Sequence, residues 1–546
     1  MKKIYYILAT AVTTVLFAAC TKDLNTLPLN PTDTTSETAY TAQEDSYLSG
    51  LAKIYFQFVS NDLTDLQLSD GGASELIRAY WSLNEVSTDA AKCAWNGDAW
   101  VAAVNTNTWS DANNDASYAV YVRTMQGVTF VNEFLRQTTD SKLSDRGCSE
   151  AVKASVAAMR AEARFLRAYF YWMAMDVFGA VPFTTEDSPF GAVNPEQATR
   201  AEVFQYIVDE LTDLASDGSA LPAARTNYPR ADKGSALGLL ARVYLNAEVY
   251  SGTPMWAEAK ATCDRIFSMG YDVASNYADV FRGDNGQNPD VLKEMLWAVD
   301  YNADNTQTYG GTTLLTFAAI ASDDVTDSSH LNGVNGGWGG MRVPYDYVEK
   351  YFRVSGQDYG TGEYTITDKR GQFFYINGRS EVIEDLSKFL EGWSCFKYNN
   401  IPHDKTAEQF NETAKIKGFS DIDFPMIRLG EIILIYAEAC MHTNNASAAL
   451  PYLKKLSDRA GVAAPTEITQ DFLVAERARE LMWEGHRRTD LIRFGLYNSS
   501  SFLWPWKGNS MLGQGFDSHL NIFAVPASEL GSNPNLKQNP GYGKQQ

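Results

Sequence analysis

Between residues 150 and 178 the apolar side chains Val152, Val156, Met159, Ala163, Leu166, Phe170, Met173 and Val177 recur at alternating steps of four and three. That spacing places them on one face of a helix. Gly179 and Pro182 supply the stop signal. The polar positions lack the alternating Glu/Lys pairs of a long zipper, so packing inside a bundle is predicted rather than a coiled coil. Near the N-terminus, Tyr47, Leu51, Ile54, Tyr55 and Phe58 are also helically spaced, predicting a helix within 40–59.

Further helices come in neighbouring pairs: 199–215 with 231–250, then 256–269 after Pro254, and 428–441 with 446–460, followed by 471–485. The run Ala236-Leu237-Gly238-Leu239-Leu240-Ala241-Arg242-Val243-Tyr244 has small residues where two helices would cross closely. In this it resembles tetratricopeptide (TPR) helices. The expected fold is all-α dominated: a TPR-like scaffold of helical pairs within 40–60, 150–270 and 426–485. Two stretches, 61–119 and 283–420, lack helical period and are rich in Gly, Asn, Asp, Thr and aromatics. Long loops of that kind inside a folded chain carry function, and these are expected to form a ligand-binding region.

The first residues read differently. Lys2 and Lys3 precede an uncharged apolar run, 4–19, too short for a comfortable span and typical of a signal peptide. It ends in Leu16-Phe17-Ala18-Ala19-Cys20, a lipobox with Phe17 where Leu is usual, which predicts a diacylglycerol on Cys20. Residues 20–38, rich in Thr, Asn, Asp and Pro, are expected to be a tether reaching at most ~60 Å from the membrane. The folded domain is then 39–546.

Charge narrows the partners. The 546 residues carry 46 Lys+Arg against 67 Asp+Glu, a formal net charge of −21. Nucleic acid is excluded as a ligand class, because its binders displace counterions with basic surface. Six cysteines, one of them Cys20, form no C-x-x-C pair, so the other five are expected to be buried small hydrophobes. The sequence contains no H-E-x-x-H, G-x-S-x-G, Walker or G-x-G-x-x-G motif. Glu480, Glu484 and His486 cluster, but Glu484/Arg488 and His486/Asp490 stand four apart, which predicts ordinary helical ion pairs. No catalytic residue is assigned and no cofactor is expected. A structural calcium is the one exception considered, at the oxygen-rich run Asp284-Asn285-Gly286-Gln287-Asn288, which lacks EF-hand spacing and otherwise reads as a solvated turn.

What remains is aromatic residues set among small polar ones: Trp95 before Asn96-Gly97-Asp98, Tyr309 before Gly310-Gly311, and Trp338 between two Gly-Gly pairs. Rings flanked by glycines have few neighbours to bury them and can stay exposed as platforms, on which the C–H faces of sugars pack. The competing expectation is that they plug their loops onto the core.

The chain resembles the SusD/RagB family over nearly its whole length. The segments that carry the resemblance are the lipobox, Arg160 through Tyr169 leading to Asp176-Val177-Phe178-Gly179, Arg230-Ala231-Asp232-Lys233, and Glu476 through Gly495. Arg78, Asn84-Glu85, Thr88-Asp89 and Trp95, with Tyr309-Gly310-Gly311-Thr312 and Asn335 through Trp338, resemble the binding loops of its starch-binding members. Cys93 and Asp98 depart from the Trp and Asn expected there. The resemblance implies a non-catalytic, lipid-anchored outer-membrane protein that binds a glycan, best an α-glucan such as starch, beside a SusC-like TonB-dependent transporter. The ligand contacts it suggests are Trp95, Tyr309, Trp338, Arg78, Asp98, Asp70 and Asn335. An all-α glycoside hydrolase and a peptide-binding relative are the alternatives.

Overall fold

The computed structural model describes residues 36–61, 68, 71–110, 114–189, 193–321, 332–352, 366–376, 378–413 and 417–543. The leader, Cys20, the tether up to residue 35 and Asp70 lie outside the described residues. The last residues assigned to the tether already form a helical turn, Ser36–Ala39.

The fold is helix-dominated. In chain order the main helices are α1 (Glu44–Tyr55), α2 (Leu76–Trp81), α3 (Ala99–Thr106), α4 (Asp115–Gln137), α5 (Glu150–Phe178), α6 (Arg200–Leu214), α7 (Lys233–Leu245), α8 (Trp256–Phe267), α9 (Gly311–Phe317), α10 (Leu429–His442), α11 (Leu450–Ala460), α12 (Gln470–Glu480) and α13 (Arg487–Arg493). α4, α5 and α6 pack in succession, as do α6, α7 and α8, and α10 closes on α8 and α12. Short two-stranded ladders join the loops: β1 (Lys92–Cys93) pairs with β3 (Met341–Arg342), and β2 (Met295–Val299) with β4 (Phe424–Arg428), all antiparallel. No described helix is long and apolar enough to cross a membrane.

Local signals account for several helix ends. Ser149 accepts from the Val152 amide, while Thr199 with Glu202 and Asp232 with Ser235 form capping boxes. α5 has the predicted bounds, but its role is larger than one apolar stripe implies. From Phe165 to Phe178 every residue is buried, Arg167 and Asp176 included, because other elements surround it. The five cysteines other than Cys20 are buried and unpaired.

Four expectations are corrected. α4 begins inside the stretch 61–119 expected to be loop and runs on to Gln137, although Thr124 and Gly127 weaken the local helix preference. Packing overrides it, since a Cβ on Gly127 would stand 2.5 Å from the Phe170 ring, so glycine permits the close crossing with α5. The helix predicted over 231–250 breaks at Asn246, whose side-chain amide donates to the Arg242 carbonyl and accepts from Arg493. Arg428, predicted to open a helix, is the last residue of β4. Finally, α12 stops at Glu480, so the i,i+4 pairs do not form. Glu484 instead binds Arg428 and Lys397, Arg488 binds Asp176, and Asp490 binds Arg477. These groups are buried, and buried charges pair wherever the tertiary structure brings the opposite sign.

Candidate functional site

The β1–β3 ladder holds two of the aromatic loops side by side. Lys92 pairs with Arg342 and Cys93 with Met341, and the Ala94 amide then donates to the Gly340 carbonyl at 2.7 Å. Trp95 follows directly, and its indole lies against Gly340, where a Cβ would stand 2.7 Å from the ring; that glycine also has φ +107°. The Trp95 loop is clamped from beneath by Asn105, which accepts from the Cys93 amide and donates to its carbonyl. The Trp338 loop hangs on the end of α9, with the Trp338 amide donating to Phe317 and the Met341 amide to Ala318, each at 2.9 Å. One face of the Trp338 ring stacks on Phe317, with centroids 4.9 Å apart and planes at 26°. That face of the ring is thus packed on the core.

Tyr309 is 51% exposed, and its ring centre lies 6.0 Å from that of Trp338, tilted by 55°. Arg78, on α2, ties this loop to the Trp95 loop. Its guanidinium sits 5.6 Å from the Trp95 ring centre and donates to the Tyr309 carbonyl at 3.3 Å. The structure therefore gathers Trp95, Tyr309, Trp338 and Arg78 from three distant segments. Asp98 lies in the Trp95 loop, its amide donating to the Trp95 carbonyl, and Asn335 is exposed beside Gly418.

Sequence reasoning missed three residues here. Phe419 lies 5.5 Å from Tyr309, tilted by 48°. Phe389 lies over Gly339, its Cδ1 2.9 Å from the position of a Cβ there. The third, Glu75, caps α2 and fixes the Tyr309 loop. It accepts from the Arg78 and Gly311 amides and from the Tyr301 hydroxyl. None of the three carried a local signal: Glu is not a preferred N-cap residue, Arg78 interrupts the apolar positions of 76–81, and a lone Phe in a loop is unmarked.

Burial pushes the Glu75 carboxyl up to about 7 despite those donors. Its folded-state pKa exceeds its unfolded one, so its stabilising contribution is complete below about pH 4.5 and is lost as pH rises through 7. Substitution by Gln should flatten that part of the pH–stability profile and keep the loop in place. Glu75→Ala should free the Tyr309 loop and weaken ligand binding by about tenfold, one to two hydrogen bonds' worth. Melting curves from pH 4 to 8 with binding isotherms check both; identical profiles for wild type and Glu75→Gln would refute the assignment.

The oxygen-rich run borders a polar cavity of about 470 Å³ lined by Asp284, Asp300, Asp421, Asp423 and Lys417 among others. Asn285 is committed to the backbone of Val280 and Asp423, and Asn288 caps the turn at Asp290, so at those two positions the run is a structural turn. Asp284 accepts from both the amide and Nδ1 of His403, and the ligand atoms of Asp284, His403 and Asp404 lie within 4.8 Å of one another.

Comparison with known proteins places this architecture. One model, described as "SusD family", matches residues 293–542, and another, described as "Starch-binding associating with outer membrane", matches 71–245. Together they span more than three quarters of the chain. The starch-binding protein SusD of Bacteroides thetaiotaomicron is 28% identical over 577 aligned positions, covering 99% of both chains. Two solved structures share the fold. A SusD-like protein from Bacteroides fragilis has TM-score 0.68 and 17% identity, over 95% of this chain and 100% of that one. Surface glycan-binding protein A from B. thetaiotaomicron, in complex with laminarihexaose, has TM-score 0.67 and 18% identity, over 91% and 99%. The chain belongs to the SusD/RagB family.

Proposed function

We propose that the protein is a non-catalytic, lipid-anchored outer-membrane protein that captures an α-glucan and passes it to a SusC-like TonB-dependent transporter. The observation that carries the glucan reading is the set of tilted rings. Tyr309 meets Trp338 at 55°, so successive platforms turn, as the residues of a helical glucan do and those of a flat, straight chain do not. Arg78, Asp98 and Asn335, beside the rings, supply polar groups for sugar hydroxyls, and Asp70 is a further candidate. The name of the B. thetaiotaomicron relative supports starch in particular. Glu75 is fully buried and occupied by three donors, which suits a positioning role better than that of the acid in a hydrolase.

Isothermal titration with maltoheptaose, laminarihexaose and cellohexaose tests the reading. Maltoheptaose should bind tightest; cellohexaose binding equally well would overturn it. Reducing-end release from starch should stay at background. The anchor has its own test. At about 0.8 kcal/mol per buried CH₂, the acyl chains of a lipidated Cys20 make detachment negligible. Cys20→Ala should therefore move the protein from the membrane to the soluble fraction, and a variant that still pellets with membranes would exclude the lipid anchor. Co-purification of a TonB-dependent transporter from native membranes in mild detergent is the expected partner result.

A further inference from the structure

The aromatic surface does not end at the three rings. Beyond Tyr309, Phe419 continues it at 5.5 Å with a 48° tilt, close to the spacing and tilt between Tyr309 and Trp338. Phe419 is held from both sides in sequence: Lys417 bridges to Val334, and the Ser420 amide donates to Thr313 Oγ1 at 3.1 Å. Beyond Trp338, Phe389 is 39% exposed and covers Gly339. The diglycine Gly339-Gly340 is thus flanked by two rings, Phe389 on the first residue and Trp95 on the second; side chains there would push both rings away.

The loop bearing Phe389 is also rigidly held. Arg379 donates to the carbonyls of Phe389 and Gly392, at 2.6 and 2.7 Å. Arg342, fully buried on β3, donates to the carbonyls of Leu386, Lys388 and Glu391. The Ser380 amide donates to Leu390, and the Gly392 amide to Ser380. One exposed apolar residue is ordinary on any surface. Here a hydrogen-bonded backbone presents a phenyl ring over Gly339, the residue that follows Trp338, and β3, which anchors it, is the strand that pairs with the Trp95 loop.

From this row we infer that Phe389 and Phe419 are two end subsites, so that the protein grips a longer run of sugar residues than its three central rings reach. The inference rests on the glycan reading above and adds a chain-length dependence with two named residues. A short oligosaccharide fills the centre alone, while a longer one packs on both phenyl rings as well. Each additional ring contact is of the size that changes affinity by about three- to tenfold.

Titrations of wild type, Phe389→Ala, Phe419→Ala and Trp338→Ala with maltotriose and maltoheptaose, and with laminaritriose and laminarihexaose, separate the possibilities. Wild type should prefer the long member of the series it binds. Each Phe→Ala variant should lose about three- to tenfold for the long oligosaccharide and less than about twofold for the trisaccharide. Tyr at either position should restore the long-chain affinity, and Trp338→Ala should weaken both lengths. Melting curves confirm that each variant is folded. Phe→Ala variants that are folded and keep the wild-type long-chain affinity would overturn the end subsites while leaving the glycan reading intact. So would an equal loss for both lengths. Failure of the wild type to bind any of the four sugars would remove the glycan reading, and the end subsites with it.

Discussion

Alanine at both Trp95 and Trp338 should lower affinity for maltoheptaose by on the order of a hundredfold or more. A ring face covered by a sugar contributes about 1–3 kcal/mol by analogy with apolar burial, and two such losses compound. The remaining Tyr309 ring cannot compensate, because the surface turns by 55° between it and Trp338. The folded state should survive. Both tryptophans are only half-buried, so their truncation costs less than the 3–5 kcal/mol typical of a core Trp. Some cost is expected nonetheless, since Trp338 rests on Phe317 and Trp95 on Gly340. Far-ultraviolet circular dichroism should be unchanged and melting lowered by a few degrees. A double variant that unfolds would show the rings to be core, and a folded one with unaltered affinity would place the ligand elsewhere.

The second large effect concerns stability. Glu480→Ala should destabilise the fold by about 3–5 kcal/mol or more, the cost of breaking a buried ion pair by removing one partner. Glu480 is fully buried at the centre of a network. One oxygen accepts from Arg428 at 2.7 Å and from Arg459, and the other from Arg370 at 3.1 Å. Arg428 also binds Glu294 and Glu484, and Arg370 binds Asp368 and Glu476. Deleting the shared carboxylate takes one acceptor from each of three buried guanidinium groups, which keep only Glu294, Glu484, Asp368 and Glu476 as carboxylate partners. Burial alone would raise the Glu480 pKa, but Arg459, Arg428 and Arg370 overcome it and hold the carboxyl well below its usual range. A depressed folded-state pKa stabilises above the unfolded value and loses that contribution as pH falls below about 4.5. Urea unfolding at pH 7 should show a much lower midpoint for Glu480→Ala. Below pH 4 the wild type should lose stability more steeply than Glu480→Gln, which has no proton to take up. Equal acid sensitivity would mean that the network does not depend on this ionisation.

These two predictions draw on different kinds of information. The three rings were visible in the sequence as aromatics in glycine-rich loops, and Arg78 came with the family resemblance. Their convergence was not visible. It depends on a two-residue ladder between Lys92–Cys93 and Met341–Arg342, and on Glu75 joining residues more than two hundred positions away. Phe389 and Phe419 carried no local mark, because a phenylalanine in a loop reads alike whether it is core or surface.

What the sequence determined by itself is what short-range physics controls. Helical periodicity set the bounds of α5, capping residues set the starts of α6 and α7, and charge balance argues against nucleic acid as a ligand. Tertiary structure decided whatever depends on distant partners. It made a helix of 115–137 despite Gly127, by packing that glycine on Phe170. It moved Glu484 and Arg488 from the pairs their spacing suggested to Arg428 and Asp176. The reason is common to all of these cases: periodicity and capping act within a few residues, whereas a buried charge or a close glycine crossing is satisfied only by a group whose position the whole fold sets.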